Sequence, residues 1–427
     1  MLNRDFRALF AVQFLGAFND NLVKNAVAIL IGYRLVSDAE AGFWLSVAAG
    51  LFILPFMLIS PWAGRLADQF DKLRLIQLIK LAEVFLAILA AWALISQSLF
   101  WLLVAITALG IQSAFFGPIK YAIIPERVAS TEWMSANAWF SGSTFIAILL
   151  GTLLGGWGAI SESHLWVLAT GVFLVALLGA WASFQVTPVC VPKPKLGKGS
   201  LAYGASFMAV WQNWHDGRGR LVIAISLFWF IGATLLSQLP HWVQSLGGNE
   251  QVAIVWLAGF AVSFGLGAAL RTLLNTWLNW HHQAWWLGLM ALVLGDAAWL
   301  SQQVWAEASV LVAPGLFFSD PTAVRISLDL ALIAILGGLY TVPLYTQLQR
   351  QVAASARARA FALNNVMNAL WMVLSALALM AGYSLGLSWP QLAGLLVMGI
   401  GMMAVWVAWR FKQTTWLVAA QAAKEKA

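Results

Sequence analysis

The chain is a near-unbroken succession of apolar stretches, each about as long as a bilayer is thick and each separated from the next by a short polar turn. A helix needs roughly 20 mainly apolar residues to cross the hydrocarbon core. Twelve stretches qualify, at about 6–33, 42–65, 74–96, 99–122, 135–159, 164–187, 220–244, 251–274, 284–304, 325–347, 360–384 and 389–411. A closed β-barrel is the other architecture that satisfies every backbone amide in lipid. It reads as alternating segments of about ten residues, whereas the runs here are continuous. Only 10% of the residues are charged and 61% are hydrophobic, against about 25% charged in a soluble domain. The expectation is an all-α membrane protein of twelve transmembrane helices.

The charges then set the topology. The net charge of +7 would suggest nucleic acid in a soluble protein. Here the basic residues gather at alternate span ends, so no nucleic-acid partner is expected. With the N-terminus inside, the inner segments hold Arg4 and Arg7, then Arg65, Lys72 and Arg74, Arg127, the group Lys193, Lys195, Lys198, Arg218 and Arg220, Arg271, the group Arg350, Arg357 and Arg359, and finally Arg410, Lys412, Lys424 and Lys426. The outer ends hold Arg34 and Arg325, with the acids Asp38, Glu40, Glu162, Glu250, Glu307 and Asp320. Cytoplasmic loops carry the excess of Lys and Arg, so both termini are expected in the cytoplasm. Many of the 25 Trp, among them Trp44, Trp62, Trp92, Trp101, Trp133, Trp242, Trp280 and Trp406, lie near span ends, where an indole suits the lipid–water interface. The one cysteine, Cys190, leaves no intrachain disulfide and no cysteine-based metal site. Residues 1–7 lead straight into a span too long and too polar in its middle for a cleavable signal peptide.

The longest hydrophilic stretch, 188–219, contains Pro188, Pro192, Pro194 and a lysine-rich run. It divides the chain into an N-terminal six-helix half (1–187), a basic cytoplasmic linker (188–219), a C-terminal six-helix half (220–411) and a cytoplasmic tail (412–427). This arrangement resembles that of the major facilitator transporters, in which substrate sits between two halves that rock. An unrelated twelve-span carrier with broken helices is the other architecture.

Several spans carry polar residues where apolar ones belong. The first holds Gln13, Asn19, Asp20, Asn21, Lys24 and Asn25 between apolar flanks. A charge at mid-membrane costs about 2.5–3.5 kcal/mol on insertion scales and is kept where it faces a polar cavity or a partner. Asp20 and Lys24 are four apart, share a helix face and can pair. The string points to a polar pathway, and so to transport. Gly64, Asp68, Lys72 and Arg74 stand between spans two and three and fit either a conformational latch or an ordinary positive-inside loop. Lys120 and Tyr121 follow Gly117 and Pro118 at the end of span four; Lys120 fits a phosphate partner or a snorkelling lysine. On span five, Asn137, Ser141, Ser143 and Thr144 precede Gly151 and Gly155, a small-xxx-small ridge for close packing. Glu83 lies three residues after Lys80, the spacing of a local ion pair. Asp296 and Asp329 are further acids in apolar surroundings, candidates for proton relay. In the second half Gln238, His241, Tyr340, Tyr345, Asn364, Asn365 and Asn368 line either a cavity or a polar helix seam.

Enzyme signatures are missing. There is no Walker motif, no H-x-x-x-x-D acyltransferase motif, and His281-His282 lack metal-ligand spacing. The chain is read as a non-enzyme without cofactor or metal.

The motifs in order are Gln13-Phe-Leu-Gly-Ala-Phe-Asn-Asp20-Asn21, Ala67-Asp68-Gln-Phe-Asp-Lys72, Phe116-Gly-Pro-Ile-Lys120-Tyr121, Ala136-Asn137, Gly151-Thr-Leu-Leu-Gly155-Gly156 and Gly337-Gly338 with Val342-Pro343-Leu344. Together they resemble the bacterial lysophospholipid transporter family of the major facilitator superfamily. The likeness runs from Phe6 to about Arg410 and is greatest to the transporter part of proteins fused to a lysophospholipid acyltransferase and an acyl–acyl-carrier-protein synthetase. The resemblance implies flipping of lysophosphatidylethanolamine and related lysolipids from the outer to the inner leaflet of the bacterial inner membrane for reacylation, without a sodium or proton gradient. It implies functional roles for Asp20 and Lys120, with membrane lipid as surroundings and the acyltransferase–synthetase expected on a separate chain. One departure stands out: stand-alone members carry an arginine in span seven near Leu235-Leu236-Ser237, where the nearest polar residues here are Gln238 and His241. Asp20, Asn21, Lys24, Lys120, Tyr121, Asn137, Gln238 and Tyr340 are therefore the expected substrate-binding or gating residues. The rival readings are a proton-coupled exporter of drugs or small metabolites and a membrane scaffold for lipid-acylating enzymes.

Overall fold

The computed structural model describes residues 3–159, 161–189, 208, 219–274, 282–304 and 311–424. Lys193, Lys195, Lys198 and Arg218 of the basic linker lie outside the described residues, as do Cys190, Trp280, His281, Glu307 and Lys426. The described residues are mainly helical: α1 (Arg4–Leu30), α2 (Asp38–Leu58), α3 (Ser60–Gln69), α4 (Lys72–Ser96), α5 (Leu99–Ala122), the short α6 (Ile124–Arg127), α7 (Trp133–Gly158), α8 (Glu162–Phe184), α9 (Gly219–Ser245), α10 (Glu250–Leu273), α11 (Gln283–Val304), the short α12 (Pro314–Phe317), α13 (Pro321–Gln351), α14 (Arg357–Ser384) and α15 (Trp389–Lys424).

Helix ends follow local chemistry. Asn3 accepts from Phe6 N, Asp71 from Arg74 N and Ser161 from His164 N, each satisfying an amide that the first turn leaves without an intrahelical partner. Among the described residues, ten helices are long and apolar enough to cross a membrane. Counted as one broken span, the pair Phe43–Leu58 and Ser60–Gln69, bent by 43°, makes an eleventh. The bend is where Pro55 sits inside α2 and Pro61 in the first turn of α3, since each proline removes a backbone donor. Against the expected twelve, ten or eleven such spans thus stand among the described residues; α1, with 27 residues and its polar string, is not one of them. The expected loop at Gly64–Asp68 is helical and forms the second half of α3.

The described chain divides into two compact units. The first joins Met1–Val222 to Tyr345–Leu370, so it contains the C-terminal end of α13 and the N-terminal half of α14. Its apolar core packs Val23, Val27 and Leu30 of α1 against Ala87, Ala90 and Ala93 of α4, Ala105 and Leu109 of α5, and Val172 and Ala176 of α8. Alanine on the facing surfaces lets helices approach closely, which drives association where lipid is as apolar as leucine. Gly151 and Gly155 do the same between α7 and α1. A methyl group at Gly151 would lie 2.5 Å from the Phe18 carbonyl oxygen, and one at Gly155 would strike that of Leu22.

The second unit joins Ile223–Leu344 to Trp371–Ala427. Gly338 of α13 lies against the backbone of Phe264 and Ala268 on α10. Trp242 was expected at the lipid interface, but it is wholly buried, packed on Trp256 and Trp389, with its indole N–H donating to Ser301 Oγ at 2.8 Å. A buried indole usually gives its N–H an acceptor, and Ser301 is that acceptor for Trp242. Trp62, Trp92 and Trp101 do remain exposed.

Candidate substrate site in the first unit

The polar string of α1 divides its work around the helix. Gln13 joins α7, donating to Thr144 Oγ1 at 2.6 Å and accepting from Ser143 Oγ at 3.0 Å. Asn25 donates to the Thr152 carbonyl at 2.6 Å. These contacts are helix glue. Asp20 faces α5, where the Ser113 hydroxyl donates to its Oδ2. Lys24 does not form the anticipated ion pair with Asp20. Its ammonium donates to Asn21 Oδ1 at 3.1 Å and lies over the Phe52 ring, 4.6 Å from the centroid. The aromatic face and the carboxamide together satisfy a cation, and Asp20 has Ser113 instead.

Behind Asp20 stands a second charged pair. Lys80 Nζ donates to Glu83 Oε2 at 2.6 Å, both side chains being buried, as the three-residue spacing led one to expect. Gln112 Nε2 also donates to Glu83 Oε2, at 2.9 Å. Gly16 and Gly179 make room for the lysine: a methyl group at either would lie 2.7 Å and 3.3 Å from Lys80 Nζ. Lys80 and Glu83 announce part of this network in the sequence; Gln112 and Ser113, an uncharged polar pair in the middle of an apolar span, do not.

Lys120, half-buried, is placed differently from the buried Lys80. Its Nζ sits 5.1 Å above the Tyr121 ring, and among the described residues it makes no ion pair. Tyr121 stacks on Tyr345 at 4.4 Å and on Phe361 at 5.4 Å. Asn365 of α14, one turn beyond Phe361, presses its amide against Gly117 of α5.

Other expected residues lie in seams. Asn137 is fully buried and donates to Gln349 Oε1 at 2.7 Å and to Thr346 Oγ1 at 3.1 Å, while Gln349 Nε2 donates back to Asn137 Oδ1 at 3.1 Å. Tyr340 and Gln238 belong to the second unit. Tyr340 donates to the Ala224 carbonyl at 2.8 Å from a fully buried position, and Gln238 accepts from the Tyr383 hydroxyl. Arg325 grips Asp296 with two hydrogen bonds of 2.8 and 2.6 Å.

Asp68 reaches the start of α14. Its carboxylate accepts from Ala358 N at 2.9 Å, Arg359 N at 3.2 Å and Arg359 Nε at 2.9 Å. It therefore meets both a helix N-terminus and a guanidinium, each of which favours an anion. Gly64 permits this approach, since a methyl group there would lie 2.5 Å from Ala362 Cβ. Lys72 pairs with Glu126 at 2.6 Å. Arg74 contributes its amide to the Asp71 cap and is exposed.

The sequence profile of the Major Facilitator Superfamily matches residues 9–376. The chain belongs to the major facilitator superfamily. Among curated proteins, this superfamily member is 29% identical over 413 residues to the lysophospholipid transporter LplT of an Enterobacter species, covering 94% of this chain and 92% of that one. It is 28% identical over 366 residues to LplT of Yersinia enterocolitica, covering 82% and 80%. Among solved structures it superposes on a bacterial homologue of the iron transporter ferroportin in an outward-facing state, with a TM-score of 0.71 at 14% identity, over 96% of this chain and all of that one. The human organic anion transporter MFSD10 gives the same score, identity and coverage. At such identities the structures establish the facilitator fold alone.

Proposed function

We propose that this facilitator is a lysophospholipid transporter that carries lysophosphatidylethanolamine and related lysolipids from the outer to the inner leaflet of a bacterial inner membrane, where reacylation restores the second chain. The observation that supports it is Lys120, an ammonium inside a span with no ion-pair partner among the described residues, on the same unit as the Asp20 carboxylate. A phosphoethanolamine headgroup carries the complementary charges: its phosphate suits Lys120, and its ammonium suits Asp20. Tyr121 and Asn21 flank these two groups, and Lys24 balances the charge of Asp20. The identity to proteins named lysophospholipid transporters over most of both chains supports the same reading. The acyl tail stays in lipid, which agrees with a span interior that offers few charges.

In this proposal the contacts of Gly64 and Asp68 with the start of α14 are the latch of the cytoplasmic side, with Lys72–Glu126 and the Asn137–Gln349 carboxamides as its supports. Residues 1–187 and 220–411 are the halves that rock, both termini are cytoplasmic, and the protein acts without cofactor or metal.

The test is uptake of labelled lysophosphatidylethanolamine by vesicles containing the purified chain, against empty vesicles and against Asp20→Asn. Uptake that depends on the chain and is lost in Asp20→Asn, with the variant folded, supports the reading. Wild-type uptake no greater than that of empty vesicles sinks it.

A further inference from the structure

The Ser113 hydroxyl carries one hydrogen and has two acceptors in reach: Asp20 Oδ2, to which it donates, and Gln112 Oε1 at 3.3 Å. The orientation of Gln112 is fixed from behind. Its Nε2 is committed to Glu83 Oε2, which turns its oxygen towards Ser113. Glu83 is held in turn by Lys80, and Lys80 is enclosed by Gly16, Gly179 and the Phe116 ring, 5.7 Å from its ammonium. The chain Lys80–Glu83–Gln112–Ser113–Asp20 thus runs from a fixed, buried ion pair to the one carboxylate on α1 that the substrate reading employs.

We propose that Ser113 is a two-position donor that lets Asp20 exchange an internal partner for the cationic group of the substrate. When a substrate ammonium takes the Asp20 oxygen, the hydroxyl turns to Gln112 Oε1, and its O–H keeps an acceptor. When the ammonium leaves, the hydroxyl returns to Asp20. A buried donor without an acceptor costs far more than one that changes acceptors, so a carboxylate that must bind and release inside a membrane gains from such an exchange. Lys80 and Glu83 act through Gln112 and are positioning residues; so are Gln112 and Ser113, which act through Asp20. The inference rests on the reading of Asp20 as the headgroup contact.

The two halves of the switch predict opposite effects on lysophosphatidylethanolamine uptake in vesicles. Ser113→Ala removes the competitor for Asp20, so the half-saturating concentration falls and the maximal rate falls with it, because release is slowed. Gln112→Leu removes the alternative acceptor, so substrate binding strands the hydroxyl and half-saturation rises about tenfold. Ser113→Thr keeps the hydroxyl and restores wild-type kinetics. A purely structural role for these residues would shift both variants the same way. Wild-type uptake with Ser113→Ala and Gln112→Leu unchanged, or changed in the same direction, overturns the switch alone. Absence of wild-type uptake overturns the transport reading and the switch with it. Because Gln112→Leu also frees Glu83, the Ser113→Ala and Ser113→Thr pair decides the matter if that variant misfolds.

Discussion

Two lysines in the first unit, both beside aromatic rings, have opposite relations to the fold. Lys80 is locked to Glu83 at 2.6 Å with both side chains buried. Removing one partner of a buried pair leaves an uncompensated charge, at a cost of about 3–5 kcal/mol, whereas replacing both by apolar residues is often close to neutral. Lys80→Met alone is therefore expected to lower the melting temperature sharply in detergent, and Lys80→Met/Glu83→Met to recover most of the loss. Lys120 has no such partner, so Lys120→Gln should leave the melting temperature near that of wild type while uptake falls about tenfold or more, the worth of a charge-assisted hydrogen bond. A comparable loss of stability in Lys120→Gln would show that it is structural. Charge in an apolar span is conspicuous in sequence, which is why Asp20, Lys24, Lys80 and Lys120 were all legible. Which of them pair was not. The i,i+3 and i,i+4 spacings of Lys80–Glu83 and Asp20–Lys24 looked alike, and only tertiary neighbours separated them: Ser113 took Asp20, and Phe52 took Lys24. Gln112 and Ser113 stayed silent because uncharged polar residues occur throughout these spans.

At the scale of elements, α3 and α14 meet through a glycine and an acid. Asp68 is both a cap for the first amides of α14 and an ion-pair partner of Arg359. A simple charge swap therefore cannot restore it, because an arginine at position 68 has nothing to accept the Ala358 and Arg359 amides with. We expect Asp68→Arg/Arg359→Asp to transport no better than Asp68→Arg alone; rescue by the swap would reduce the contact to a plain salt bridge. Gly64→Val should reduce uptake at least as far, since its side chain would have to enter the space of Ala362 Cβ and the Ala358 carbonyl. The Gly64–Asp68–Lys72–Arg74 spacing marked this region in the sequence. Its partner did not show, because the chain gives no local sign that residue 68 meets residues 358 and 359. The span read as ending at about 65 continues as helix to Gln69 for a simple reason. Charged residues end the apolar run that marks a span in the sequence, while α3 carries them on as helix past the bend set by Pro55 and Pro61.

For the whole molecule, apolar length and charge asymmetry made the class legible without tertiary knowledge, because a bilayer dictates span length and leaves only helices for runs of this kind. Trp242 shows where that reasoning ends. Position near a span end does not say whether an indole faces lipid or a neighbouring helix, and here Ser301 supplies the acceptor that permits burial. The same boundary separates the two transport readings, since a facilitator fold serves both a lipid flippase and a proton-coupled exporter. The acids that would serve proton coupling outside the Asp20 network are Asp296 and Asp329. Asp296 is committed to Arg325 by two hydrogen bonds, an arrangement that holds a carboxylate in place rather than freeing it to cycle. If the protein is a flippase working down the gradient that reacylation maintains, collapsing the proton gradient across the vesicle should leave lysophosphatidylethanolamine uptake unchanged, and Asp329→Asn should behave as wild type. If uptake stops with the gradient while Asp20→Asn and Asp329→Asn each abolish the dependence on pH, the protein couples to protons, and the carboxylates of both units take part in the cycle.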